Sequence, residues 1–222
     1  MTVTDPDTLL PIALEQFARQ GVADTHLDHI ARLAASDVDA LEERYGDITR
    51  LFDVAIGWGT KALRDDIDRI ASGDGPPVAR LIGLLRRLGE PGDREATAML
   101  CVLRELMHGT PHAERAFEHW LLRPYDAAIG VLSEAQIRGD ISPLPPRLAL
   151  ATMVGAVVMP QLLGYGPSQG ELQGAHGRTE DADDSDIAVK PRGALLAAAL
   201  QVILHGMITP RGADSLVADE TP

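Results

Sequence analysis

The residues of this 222-residue chain that could do chemistry are its histidines, its one cysteine and several glycine and acid clusters. Their spacing argues against catalysis. His108 and His112 lie four apart, as metal ligands on a helix would, but Gly109 and Pro111 stand between them and break the regular turn. His26 and His29 lie three apart near a helix start. Neither pair is completed by a cysteine or carboxylate set, so solvated histidines are expected and no metal is implied. Cys101 lacks the neighbours of a nucleophile and is expected to be a small buried apolar residue. The glycines at 164, 166, 170, 174 and 177 neither follow a strand nor open a helix, so no phosphate loop is implied. The acidic run 180–186 reads as a solvated loop. No cofactor is implied, and the expected class is a non-enzyme.

The chemistry that remains is recognition by charge, and it concentrates near the N-terminus. Leu10, Ala13, Leu14 and Phe17 recur at helical spacing, and Gly21 follows where a helix end needs a positive φ. Thr25 precedes a second stripe, Leu27, Ile30, Ala31 and Ala34. With Asp28 three residues on, it predicts a capping box. Asp37 is placed to cap a short third helix with Val38, Leu41 and Tyr45 inward, and Gly46 breaks it. Asp47 is placed to cap a fourth helix carrying Ile48, Leu51, Phe52, Ala55 and Ile56, which is expected to run through Trp58 to about Ile70. Short helices joined by tight turns in this order form a helix-turn-helix, which lays one helix in the major groove of DNA.

The order and spacing of Ala13, Phe17, Gly21, Thr25, Ile30, Ala31, Ala34, Leu41, Tyr45, Leu51 and Phe52 resemble the TetR family of bacterial one-component regulators. The match runs without a gap over about forty residues. The departures fall on exposed positions. Ala35, Ser36 and Asp37 stand where the family has Gly-Val-Ser. Asp39 and Ala40 replace a small Gly-Thr pair, Glu42 replaces a tyrosine, and Ile48 replaces a lysine. The resemblance implies DNA contacts from Thr25, Val38, Asp39, Ala40, Glu42, Arg44 and Arg50. Residues 1–53 carry eleven acids against four arginines, a net −7 out of −13 for the chain. DNA binders normally present a basic face, because phosphate neutralisation supplies much of their affinity. Two readings therefore stay open. One is a DNA-binding regulator; the other is a module that kept the fold and senses a ligand or binds a protein without touching DNA.

The rest of the chain predicts an all-α protein. Alanine and leucine dominate, β-branched alternation is scarce, and aromatics make up only 4%. Helices are expected over about 78–88, 95–107, 113–138 with Pro124 inside, 146–163 and 193–205. Residues 166–191 read as a polar, disordered loop, and the tail from Thr209 as loose. The expected division is a helix-turn-helix domain at 1–53 and an effector-binding and dimerisation domain at 54–222.

The run Arg138-Gly139-Asp140-Ile141 and the proline-rich helix start after it also resemble the family's C-terminal domain. The resemblance implies a homodimer through the last two long helices, with Leu148, Leu150, Met153, Val154, Val157, Val158, Leu162, Leu195, Leu196, Leu200, Val202 and Leu204 supplying the interface. An effector pocket is expected among Met99, Leu103, Met107, Phe117, Trp120, Tyr125 and Met153, suited to an apolar or mixed small ligand. One cysteine, no leader-like N-terminus and no eighteen-residue apolar run predict a cytoplasmic protein with no membrane partner. The whole reads as a TetR-like repressor held on operator DNA and released by a small ligand.

Overall fold

A computed structural model describes residues 5–164 and 192–219. The expected loop at 166–191 lies outside the described residues. Every regular element among the described residues is a helix, in the order α1 (Pro6–Gln20), α2 (Leu27–Leu33), α3 (Val38–Tyr45), α4 (Ile48–Gly59), α5 (Lys61–Ala71), α6 (Pro77–Gly89), α7 (Asp93–Met107), α8 (Pro111–Ala116), a π-helical turn (Phe117–Leu121), α9 (Leu122–Arg138), α10 (Pro146–Gly164), α11 (Arg192–Met207) and α12 (Pro210–Asp219). An isolated bridge pairs Ile141 with Ile208. No helix among the described residues is long and apolar enough to cross a membrane. The chain divides into two compact units, Met1–Arg69 with Pro91–Ala127, and Ile70–Glu90 with Ala128–Pro222.

The first unit buries the predicted stripes of α1 to α4. Leu10, Ala13, Leu14, Phe17, Ile30, Leu41, Leu51, Phe52 and Ile56 form one core, with Ala98, Cys101 and Val102 of α7 packed into it. Phe17 meets Phe52 edge-on at 5.3 Å between ring centroids. Cys101 is buried, and burial pushes its thiol up to about 12, so it fills space and stays protonated.

The caps show how the sequence sets the helix ends. Asp5, Asp37 and Asp47 accept backbone N–H groups at the starts of α1, α3 and α4. The capping box at Thr25 does not form: His26 takes the N-cap position of α2. Thr25 is instead buried, donates its hydroxyl to the Gly21 carbonyl at 2.5 Å and accepts from Gln20 Nε2 at 3.3 Å. A buried hydroxyl must be satisfied, and the open carbonyl at the end of α1 is its nearest acceptor.

The turn between α2 and α3 closes as a Schellman motif. Ser36 N–H donates to Ala31 O at 2.8 Å and Ala35 N–H to Arg32 O at 3.3 Å. Ala35 sits there at φ 49°, a left-handed conformation that glycine adopts without strain. Ala35→Gly relieves about 1–2 kcal/mol of that strain and returns about 0.4–1 kcal/mol as unfolded-chain entropy. The expected net is a stabilisation of about 0.5 kcal/mol, read as a higher urea midpoint.

The helices differ from expectation in three places. The fourth helix does not run unbroken to Ile70. It ends at Gly59, and Thr60 turns both its N–H (2.9 Å) and its hydroxyl (2.8 Å) back onto Ile56 O before α5 begins. Gly57 and Gly59 weaken the helix there and the hydroxyl bends it. The segment 113–138 is helical throughout, as expected, but contains a π turn at Phe117–Leu121. Pro124 cannot donate to the carbonyl one turn back, and the widened π turn just before it absorbs the misfit. Third, the tail is helical to Asp219. Thr209 Oγ1 accepts from Gly212 N at 3.2 Å and Pro210 opens α12, a start signal that the polar composition masks.

The second unit packs α10 against α6 and α11. Its core includes Leu81, Leu84, Leu85, Leu132, Leu150, Met153, Val157 and Leu196. A β-carbon on Gly89 would stand 2.3 Å from Leu196 Cδ1, so glycine is what lets these helices approach. Several residues assigned above to a dimer interface thus face inward: Leu150, Met153, Val157, Val158, Leu196 and Leu200 are buried. Leu148 and Val202 stay 63% and 72% exposed. Helix α10 is apolar on more than one face, so it fills the unit's core and still has apolar surface left over.

Candidate nucleic-acid interface

The outer face of α3 is set by which residues its core takes. Leu41, Ala40 and Tyr45 are buried and Val38 is half-buried, which turns Asp39, Glu42, Glu43 and Arg44 to solvent. Three of the four exposed side chains are acids. The Arg44 guanidinium stands over the Tyr45 ring at 5.4 Å. The arginines of α1 and α2 are engaged within their own helices, Arg19 with Glu15 at 2.9 Å and Arg32 with Asp28 at 3.3 Å.

The first turn of α4 follows directly. Asp47 accepts from Thr49 Oγ1 at 2.7 Å and from Arg50 N at 2.8 Å. These bonds hold its carboxyl below the usual carboxylate range, with a small contribution from the charge of Arg115. Across from this turn lie α8 and the π turn. Thr49, Arg50 and Asp53 on one side, and Arg115, Glu118 and His119 on the other, line a groove of about 570 Å³.

Behind the groove the π turn is pinned to α4. Trp120 Nε1 donates to Asp53 Oδ1 at 2.8 Å, and His119 Nδ1 lies 3.4 Å from Asp53 Oδ2. The His119 and Trp120 rings stack at 4.1 Å, and the Arg64 guanidinium stands 4.6 Å over the Trp120 ring. A β-carbon on Gly57 would come within 2.5 Å of Trp120 Cζ2, so this contact requires glycine.

A second tie holds the start of the helix-turn-helix. Gly21, at φ 84°, leads into Val22, whose N–H donates to Glu105 Oε1 at 3.1 Å. Glu105 Oε2 also accepts from Thr110 Oγ1 at 3.2 Å and pairs with His112 Nε2 at 2.8 Å. Burial would raise the Glu105 pKa, but the hydrogen bonds from Val22, His112 and Thr110 outweigh it and leave it lowered. Arg104 Nη1 adds a bond to Ala18 O at 3.2 Å. His112 is therefore a largely buried partner of a carboxylate, not the solvated histidine its spacing suggested. The two residues flank the turn after α7, and only the chain reversal brings them together.

The structure places the expected site residues in two groups. Asp39, Glu42, Arg44 and Arg50 are exposed along α3 and the start of α4. Thr25 and Ala40 are buried, and Val38 is half-buried. Of the expected pocket residues, Met99, Leu103, Phe117, Trp120 and Tyr125 are half-buried and Met107 is 80% exposed, all in the first unit. Met153 is buried in the second unit. None of these seven lines the groove. Asp53, Arg115, Glu118 and His119, which do, had only one sequence signal: Arg115, Glu118 and His119 recur at i, i+3 and i+4, the spacing of one helical face.

No family model and no curated protein matches the sequence. Solved structures do match the fold. The ketosteroid transcriptional regulator KstR2 of Mycobacterium tuberculosis superposes with a TM-score of 0.67 at 17% identity, covering 94% of this chain and 97% of that one. SCO3833 of Streptomyces coelicolor A3, a member of the TetR transcriptional regulator family, gives 0.60 at 19% identity, with 94% of each chain covered. AibR, solved with isovaleryl coenzyme A and operator DNA, gives 0.65 at 16% identity, over 88% of this chain and 96% of that one. The fold is all-α and TetR-like.

Proposed function

We propose that this chain is a one-component transcriptional regulator that binds operator DNA as a homodimer and acts as a repressor released by a small ligand. The observation that carries the reading is the helix-turn-helix itself. A capped α3 follows a Schellman turn, buries one face in the core of α1 to α4, and leaves the other face free. The fold is shared with TetR-family regulators, and AibR was solved with operator DNA. On this reading residues 1–53 are the DNA-reading part, and 54–222 bind the effector and dimerise. Leu148 and Val202, exposed on α10 and α11, and Met159 at 41%, supply apolar surface for a partner subunit. A ligand then acts by binding one spacing of the paired α3 helices more tightly than another, which shifts the population away from the DNA-bound state. The setting is the cytoplasm, and no catalytic step is assigned.

A second reading is favoured by one observation: the exposed face of α3 carries Asp39, Glu42 and Glu43. It is a TetR-like module that senses a ligand or binds a protein and no longer touches DNA. Charge discriminates the two. Asp39→Asn with Glu42→Gln keeps the shape and removes two repulsions from the phosphates. On the DNA reading, affinity for a duplex from the chain's own upstream region should rise on the order of a hundredfold at low salt. An unchanged affinity would show that this face does not meet DNA.

A further inference from the structure

The groove between α4 on one side and α8 with the π turn on the other is lined by two arginines and two carboxylates. Arg50 and Arg115 line it from opposite sides, are both exposed, and make no ion pair among the described residues. Two acids close to them are held by neutral donors, which fix a carboxylate in place without cancelling its charge, and the charge of Arg115 acts on Asp47. Asp47 accepts from Thr49 Oγ1 and the Arg50 backbone N–H, and Asp53 from Trp120 Nε1 with His119 beside it. Glu118 is the remaining acid of the lining; it is exposed, and its side chain makes no hydrogen bond or ion pair among the described residues. Thr49 and His119 complete the lining. Guanidinium groups match phosphate oxygens in a forked, two-bond geometry, and a volume of about 570 Å³ admits a phosphate with room to spare.

We propose that this groove is a phosphate-recognition site, with Arg50 and Arg115 as its two arms and Glu118 limiting its affinity. The phosphate comes either from the backbone of a duplex lying along α3 and α4, or from a small phosphorylated molecule. The duplex source rests on the regulator reading above; the free source does not. With a duplex, Arg115 supplies from outside residues 1–53 part of the positive charge that segment lacks.

The test compares the full chain with Arg115→Gln and Glu118→Gln, both substitutions at exposed sites that leave the core intact. Inorganic pyrophosphate is followed by tryptophan fluorescence, since Trp120 stands against the groove wall through Asp53. A labelled duplex is followed by anisotropy over a salt series. Arg115→Gln should weaken the bound probe about tenfold per protomer near 0.1 M salt and lower the salt slope for duplex by about one per protomer. Glu118→Gln should tighten the same probe. Loss for duplex assigns the backbone source. Loss for pyrophosphate with duplex unchanged assigns the free source. If the wild-type chain binds pyrophosphate in this way and binds no duplex, the groove stands and the regulator reading falls. If duplex binds and Arg115→Gln changes neither probe, the regulator reading stands and the groove proposal is overturned. Wild-type protein that binds neither probe overturns it as well.

Discussion

Phe52→Ala should lower the stability of the first unit by about 4 kcal/mol, which for a chain of this size is a fall in Tm of roughly 10 °C. Phe52 is fully buried on α4. Its ring meets Phe17 of α1 at 5.3 Å and His112 of α8 at 5.4 Å, both edge-on. Alanine removes the ring from the point where three helices converge. The surrounding backbone belongs to rigid helices and cannot collapse into the space, so a cavity term adds to the lost transfer energy. Calorimetry checks the value. A loss below about 1 kcal/mol would mean the ring is not a keystone of this core. Because α1 and α4 flank the helix-turn-helix, the same variant should also lose duplex binding at a lower temperature than the unsubstituted chain.

Glu105→Ala should cost on the order of 3 kcal/mol, since it strips a buried anion from three donors at once. Val22 N–H and His112 Nε2 lose their partner, while Thr110 keeps a bond to the Glu105 backbone carbonyl at 3.1 Å. The pH dependence carries a distinct sign. The folded pKa of Glu105 is lowered from the usual 4.5. Its contribution is therefore fully present above pH 4.5 and is lost as pH falls through the lower folded value. Urea midpoints measured from neutral pH downward should fall in that acid window. Glu105→Gln should flatten that part of the profile. A profile identical in the variant would assign the acid sensitivity to other carboxylates.

The legible parts of this chain are the local ones. The stripes Leu10 to Phe17 and Leu51 to Ile56 announced their helices, and Asp37, Asp47 and Gly21 announced their ends, because caps and periodicity act within a few residues. Thr25 shows the limit. In a sequence, a threonine that caps and a threonine buried on a carbonyl look alike. Thr209-Pro210 shows another, since its start signal was outweighed by a polar composition. The ties across the fold were not legible at all. Glu105 reaches Val22 and His112, and Arg50 shares a groove with Arg115, through chain reversals that no spacing rule encodes. The acidic face of α3 was legible as charge. What the structure adds is which of its acids are exposed, and that Arg50 and Arg115 line one groove.

On the proposed reading, the acidic helix-turn-helix of this chain still holds DNA. The most direct test is the slope of log K against log salt for a duplex from the chain's own upstream region. Arg44, Arg50 and Arg115 from each of two protomers make six candidate phosphate contacts, so the slope should be roughly −5. A chain that does not bind the duplex even at low salt, or binds it with a slope near zero, would mean that its helix-turn-helix does not hold DNA.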